Sequence, residues 1–251
     1  MRLQLASWLE VETYLKASSG IIIPIGSTEQ HGPTGFVGTD ALAAEGVAWK
    51  VGERIWAMVA PTISVGMAQH HLGFPGSMTL RPSTLIAVVR DTVESLARAG
   101  FDRFFFLNGH GGNIHTVNAA FNEIYAEKSL SPASNRPAVR CTMMNWFMCN
   151  GVRELALELY GDAEGSHATA SEVSLTYHLF PGAAARIKDA PLTPEIAPEG
   201  KIYDADDFRR SFPDGRMGSN PKLSTAEHGA RFLEIATDEL AESYQAFVTN
   251  R

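Results

Sequence analysis

Basic clusters, cysteine frameworks and long apolar runs are all missing from this chain, and each absence closes off a class of function. Its only cysteines, Cys141 and Cys149, form neither a C-x-x-C motif nor a disulfide framework and read as buried, reduced thiols. No block of lysines and arginines occurs, and 28 acids against 21 bases leave a net charge of −7. That balance argues against a nucleic-acid surface or an anionic-membrane surface. No apolar run reaches the length of about eighteen residues that a spanning helix needs. The N-terminal stretch MRLQLASWLEVETYL mixes acids and polar side chains into its apolar run, so it is not read as a secretory signal and a cytoplasmic protein is expected. No G-x-S-x-G elbow offers a serine nucleophile. What remains is ordinary for a globular protein: 45% hydrophobic and 20% charged residues over a length of 251. Such a chain buries roughly 70–75% of its unfolded surface without staples.

Apolar runs alternate with helical patterns. Ile21–Ile25 reads as a buried, β-branched strand, and from Asp40 onward Leu42, Val47, Val51 and Ile55 recur at helical spacing. Ala57–Ala60 reads as a short strand closed by Pro61. Pro82 opens a helix that buries Leu85, Val88, Val89, Val93 and Leu96, and Gly100 ends it. Phe104–Leu107 and Val139–Asn145 read as further strands, with a helix from Ile114 to about Lys128 between them. Helices are expected over Val152–Tyr160, Ala170–Phe180 and Thr225–Phe247. This order predicts an α/β fold with a mostly parallel central sheet and helices on both faces. No linker, low-complexity tract or repeat divides residues 1–251, so a single domain is expected. Residues 183–220, with several prolines, read as a long irregular excursion over the site or over an interface.

Two glycine-rich stretches follow strands, where parallel sheets bind ligands: STEQHGPTGFVGTD at 27–40 and NGHGGN at 108–113. If Glu29-Gln30-His31 is extended, Glu29 and His31 point to one side and Gln30 to the other. Asp40 can fold back from the next helix, and His110 sits where glycines admit close approach to a ligand. Glu172 lies five residues beyond His167 in GSHATASEVS. Carboxylates and imidazoles without thiolates suit Zn²⁺, Mn²⁺ or a related divalent ion, and this set suffices for two ions sharing one carboxylate. Plainer readings stand beside that one. Thr39–Asp40 would cap a helix, His110 would be a turn residue, and Glu172 would lie on one face of an ordinary helix. NGHGGN would be an anion-binding turn, although it lacks the lysine of a P-loop and the spacing of G-x-G-x-x-G. His70 and His71 either line the pocket or serve as structural or solvent-facing residues. Trp146 either stacks on a substrate or belongs to the core. His115 and His178 fall on helices and read as structural.

PIGSTEQHGPTGFVGTD resembles the signature of the creatininase (creatinine amidohydrolase) family. NGHGGN resembles its second motif, FPGSMTL at 74–80 a third, and HATASEVS at 167–174 its H-A-G-x-x-E-T-S motif, all in family order. The resemblance implies a three-layer α/β/α sandwich assembled as a homohexamer that hydrolyses C–N bonds in small cyclic amides or formamides. It implies two divalent ions, Zn²⁺ or Mn²⁺, with Glu29 and His110 on one, His31 and Glu172 on the other, and Asp40 bridging. His167 matches the histidine that acts as acid and base in the family. Three departures count against creatinine as the substrate. Gly112 stands where creatininase carries its second-site glutamate, so that Glu172 takes that place; Ser166 replaces a second acid; and Val173 replaces the threonine of E-T-S.

The expected chemistry is attack on a small-molecule amide by a water shared between two ions, its pKa drawn down towards ~7. His167 would protonate the departing nitrogen. A lactone or cyclic sugar ketone is an alternative substrate for the same centre. A metal-binding module without activity is a further alternative, against which the complete ligand set speaks.

Overall fold

The central strand β1 (Gly20–Ile25) has no exposed residue, and the fold is built outward from it. The structure is a computed structural model that describes residues 1–131 and 137–249. β1 pairs on one side with β2 (Met58–Val59) and on the other with β3 (Arg103–Asn108), which in turn pairs with β4 (Arg140–Asn145). All three pairings are parallel, in the order β2-β1-β3-β4. The strand read over Ala57–Ala60 is shorter than expected, because Pro61 cannot extend the ladder.

Alternate residues of the strands enter two cores. Ile21, Ile23, Ile25, Phe104 and Phe106 face one; Ile22, Phe105 and Leu107 face the other. Over the first lie α1 (Trp8–Leu15), α3 (Pro82–Ala99) and α4 (Ile114–Leu130). Over the second lie α2 (Thr39–Ile55), α5 (Asn150–Tyr160), α6 (Ala170–Leu179) and α9 (Ala226–Thr249). The result is the expected three-layer sandwich. α3 shows why the pattern was readable: Pro82 occupies its first turn, Leu85, Val89, Val93 and Ala97 are buried, and Gly100 closes it at φ 115°. α1 was not expected; a capping box between Ser7 and Glu10 starts it.

Residues 183–220 are less irregular than their composition suggests. They carry most of α7 (Pro181–Ile187) and all of α8 (Ala205–Ser211), which Asp204 caps by accepting from the amides of Asp206 and Asp207. Phe208, Phe212 and Met217 pack with Phe74 into a small separate core. The fully buried Arg216 ties this segment down through Asp214 and the carbonyls of Pro194, Glu195 and Ser219. Both cysteines are free, and burial pushes each thiol up to about 12. No helix among the described residues is long and apolar enough to cross a membrane.

Candidate metal centre

The parallel register brings Ile25, Asn108 and Asn145 to one edge of the sheet, and the loops that leave it are bound to one another. Asn108 donates to Asn145 Oδ1 and to the carbonyl of His110, both at 2.7 Å, and Asn113 donates to the carbonyl of Gly26 at 3.0 Å. Gly109 permits the closest approach: a Cβ there would strike the carbonyl of Asp40. Strand-end geometry therefore brings the β1 loop, the start of α2 and the β3 loop together.

Glu29, His31, Asp40 and His110 are all buried at this junction, and Glu172 reaches it from the first turn of α6. His31 Nε2 lies 3.1 Å from Asp40 Oδ1 and 3.8 Å from Glu172 Oε1. His110 Nδ1 lies 3.1 Å from Asp40 Oδ2, and its Nε2 lies 3.2 Å from Glu29 Oε2. Two donor groups result, Glu29/Asp40/His110 and His31/Asp40/Glu172, each with ligand atoms within 4.8 Å of one another. Asp40 belongs to both. A further group, Glu29/His31/His167, has the same compactness.

The histidines are oriented from behind, as metal-binding imidazoles are. His31 Nδ1–H donates to the carbonyl of Glu29 at 3.0 Å, which turns Nε2 toward Asp40. His110 Nε2–H donates to the carbonyl of Met67 at 3.1 Å, which turns Nδ1 toward Asp40. His167 Nε2–H donates to the carbonyl of Gln30 at 2.8 Å, leaving Nδ1 3.8 Å from Glu29 Oε1. His71 is the exception. It accepts at Nδ1 from the Gln30 amide at 2.9 Å, so it presents Nε2–H to Glu29 Oε1 at 3.1 Å.

Charge follows from this crowding. Burial lowers the affinity of His31 for a proton, but Asp40, Glu172 and Glu29 outweigh it and raise the imidazole to about 10. His110 reaches about 9 by the same competition with Glu29 and Asp40. Burial raises Asp40, yet the two imidazolium neighbours hold it well below the usual carboxylate range. Glu172 is pushed up to about 7, chiefly by burial and against the pull of His31. Burial and neighbouring cations lower His71 to about 3 and hold His167 well below its ordinary value.

Both oxygens of Glu29 and Oδ2 of Asp40 are buried without an aligned hydrogen-bond donor. An orphaned buried acceptor costs about 1–3 kcal/mol. Two of the orphans face ring nitrogens that carry no hydrogen in the neutral tautomers: Asp40 Oδ2 lies 3.1 Å from His110 Nδ1 and Glu29 Oε1 lies 3.8 Å from His167 Nδ1. Carboxylate oxygens and imidazoles in this arrangement fit divalent cations that accept oxygen and nitrogen ligands.

The centre opens into a cleft of about 640 Å³ lined by His70, His71, His167, Glu164, Gly111, Gly112 and residues of α5. Ile202 and Met217 also line it, so the 183–220 segment covers the site. His71 is buried at the cleft and does not face solvent. Trp146 is not brought there: it is fully buried in the core beneath α5 and α9, so the substrate-stacking expectation gives way to the core reading. Gly112 is tightly hemmed. A Cβ there would strike the His110 imidazole and approach the Met67 carbonyl to 2.7 Å.

The family model for creatininase, described as creatinine amidohydrolase, matches residues 4–244. The chain belongs to the creatininase family. It is 27% identical over 246 residues to the creatinine amidohydrolase of Pseudomonas putida, covering 94% of this chain and 93% of that one. It is 30% identical to the mycofactocin precursor peptide peptidase of Mycobacterium ulcerans, over 87% of this chain and 82% of the relative. A solved creatininase in a manganese form superposes with a TM-score of 0.83 at 24% identity, covering 99% of each chain.

Within this creatininase-family frame, Gln30 is the residue that motif reading passed over. Its amide nitrogen lies 2.9 Å from His71 Nδ1, 3.0 Å from His167 Nε2 and 2.8 Å from the carbonyl of Gly215. Its two hydrogens serve Gly215 and His71, while its oxygen accepts from the Gly32 amide at 2.8 Å. The strand-like alternation placed Gln30 opposite Glu29, but no sequence signal reports the Gly215 loop that meets it there.

Proposed function

We propose that this creatininase-family protein is a metal-dependent amidohydrolase with a dinuclear centre, one ion held by Glu29 and His110, the other by His31 and Glu172, with Asp40 between them. The observation that carries the reading is the sharing of Asp40 by two compact donor groups. When bound, such ions supply hydroxide at neutral pH and polarise an amide carbonyl. The chain's own residues do the rest. Glu29 and Asp40 would set the spacing of the two positions, and the His71 ring packs beside Glu29, its Nε2 3.1 Å from Oε1. His167 is neutral and turns an inward lone pair toward the centre, so it can take the proton of the attacking water and deliver it to the departing nitrogen. The water oxygen bonds to the carbonyl carbon, the C–N bond breaks, and a carboxylic acid and an amine leave.

Zinc and manganese are the proposed metals, and a cyclic amide or formamide is the proposed substrate class. The decisive experiment is a metal-dependent screen of cyclic amides, formamides and lactones with protein reconstituted in Zn²⁺ or Mn²⁺. Hydrolysis of amides that chelation abolishes supports the reading. Turnover of lactones alone reassigns the substrate, and bound metal without any turnover leaves a metal-binding module. A cytoplasmic homohexamer is proposed from the family resemblance, and a stable monomer in sedimentation at micromolar concentration would overturn that assembly.

A further inference from the structure

The cleft above the metal centre has a second wall that the chemistry does not use. Val152, Arg153, Ala156 and Leu157 of α5 line it, with Phe147 just before that helix. The i,i+4 spacing of Arg153 and Leu157 puts their side chains one above the other. Leu157 is 71% exposed, an unusual state for a leucine in a cleft of this size. The covering segment adds Met217 and the half-exposed Ile202 to the lining of the same cleft.

Arg153 is the one arginine or lysine among the described residues lining the cleft, whose other charged residues include Glu29, Asp40, Glu164 and Glu172. It is exposed, and among the described residues its guanidinium has no hydrogen bond, ion pair or ring partner. The arginines at 54, 90, 103, 210, 216 and 231 all meet carboxylates. Glu164, the cleft carboxylate outside the ligand set, is taken up by Ser171 instead. On a chain of net charge −7, an exposed guanidinium on the cleft wall, outside the ligand set, offers an anion a docking point separate from the centre. A guanidinium offers a planar fork that matches a carboxylate bidentately. The cleft volume, about 640 Å³, lies within the range of roughly 300–1,000 Å³ that holds drug-sized ligands, well above the needs of a bare five-membered ring.

We propose that Arg153 and the apolar face of α5 form the recognition wall for an open-chain amide carrying a carboxylate and an apolar side chain, of the N-acyl amino acid type. This deepens the amidohydrolase reading and rests on it. The carboxylate pairs with Arg153, the side chain covers Leu157, and the amide carbonyl reaches the metal centre. For an N-formyl amino acid, water oxygen bonds to the formyl carbon, the C–N bond breaks, and the nitrogen leaves protonated as the amino group, giving formate.

The test compares kcat/KM for N-formyl-L-leucine and for N-(3-methylbutyl)formamide, which keeps the apolar chain and lacks the carboxylate. Metal-loaded wild type should prefer the acid by about 10- to 100-fold, as expected for a charge-assisted hydrogen-bonded pair. Arg153→Gln should abolish that preference mainly through KM, and Arg153→Lys should keep part of it. Leu157→Ala should lower the preference for N-formyl-L-leucine over N-formylglycine about fivefold. No preference for the acid in wild type, or a preference that survives Arg153→Gln, overturns the proposal. If neither formamide is hydrolysed, the amide reading fails for this class and recognition is read from calorimetric affinity for N-formyl-L-leucine. Weaker binding in Arg153→Gln then supports the wall, and equal affinity overturns it. Metal content and Tm of Arg153→Gln confirm that only the exposed side chain has changed.

Discussion

His167 gives its Nε2–H to the main-chain carbonyl of Gln30 at 2.8 Å, and that bond turns Nδ1 toward Glu29. The ring also stacks on His71, with centroids 4.3 Å apart. Ala168 beside it sits at φ 53°, a left-handed conformation that only a firmly held segment imposes on a residue with a Cβ. The imidazole is thus held at the edge of the centre, where the proposed proton transfer would need it. His167→Ala should keep both ions and slow turnover by roughly 10²–10⁴-fold, with a smaller loss for amides whose nitrogen departs unaided. Loss of an ion in this variant, measured by elemental analysis, would make His167 a ligand in the Glu29/His31/His167 group.

Asp40 faces both His31 and His110 at 3.1 Å, one through each carboxylate oxygen. Asp40→Ala should therefore empty both positions, while His110→Ala should lower occupancy mainly at one. Metal-to-protein ratios after gel filtration read the difference directly. Equal losses in the two variants would dissolve the bridging assignment.

Glu172 caps a helix as well as facing a candidate donor group. Its Oε1 accepts from the Thr169 amide at 2.6 Å, and Thr169 Oγ1 accepts from the Glu172 amide, which completes a capping box at the start of α6. Glu172→Gln preserves a capping side chain and should release one ion with little change in the Tm of the metal-free protein. Thr169→Ala should cost about 1 kcal/mol of stability and leave the metal ratio unchanged. The reverse pattern would assign Glu172 to the helix alone.

Protons and metal compete for the same atoms. His31 and His110, raised to about 10 and about 9, are folded-state cations whose ordinary value is 6.5. Their contribution to the metal-free protein is complete below pH 6.5 and is lost as pH rises through 9 to 10. Glu172 adds a smaller loss in the same direction as pH passes from 4.5 to about 7, because burial disfavours its ionised form. Chemical denaturation should show metal-free protein weakening steadily across that range, with the metal-loaded form far less affected. Metal uptake near pH 7.5 should release roughly two protons, visible as a calorimetric enthalpy that varies with buffer. An enthalpy independent of buffer would contradict the titration of these imidazoles.

Legibility varied with the range of the interactions involved. β1, β3 and α3 could be read because apolar runs, Pro82 and Gly100 act through neighbouring residues. The ligand candidates were visible because strand ends converge in a parallel sheet and because Glu29, His31, Asp40, His110 and Glu172 fall in recognisable motifs. Gln30 acquires its part only by meeting Gly215, 185 positions away in the chain. Residues 183–220 could be read as covering either the site or an interface, and the choice between these stayed hidden, since it depends on Phe208, Phe212 and Met217 finding Phe74. Trp146 looked suited to stacking because it follows a strand, but the strand end turns it under α5, where local pattern cannot place it.

The crowding at Gly112 limits which side chains that position can accept. A glutamate placed there would drive its Cβ into the ring of His110 before its carboxylate could reach an ion. The same intrusion would crowd the Met67 carbonyl that fixes the tautomer of that ring. An acid at position 112 would therefore displace the His110 ring before it could offer a carboxylate to the centre. Were Glu172 lost, position 112 could not supply a replacement carboxylate by a single substitution, because the His110 ring and the Met67 carbonyl would first have to give way.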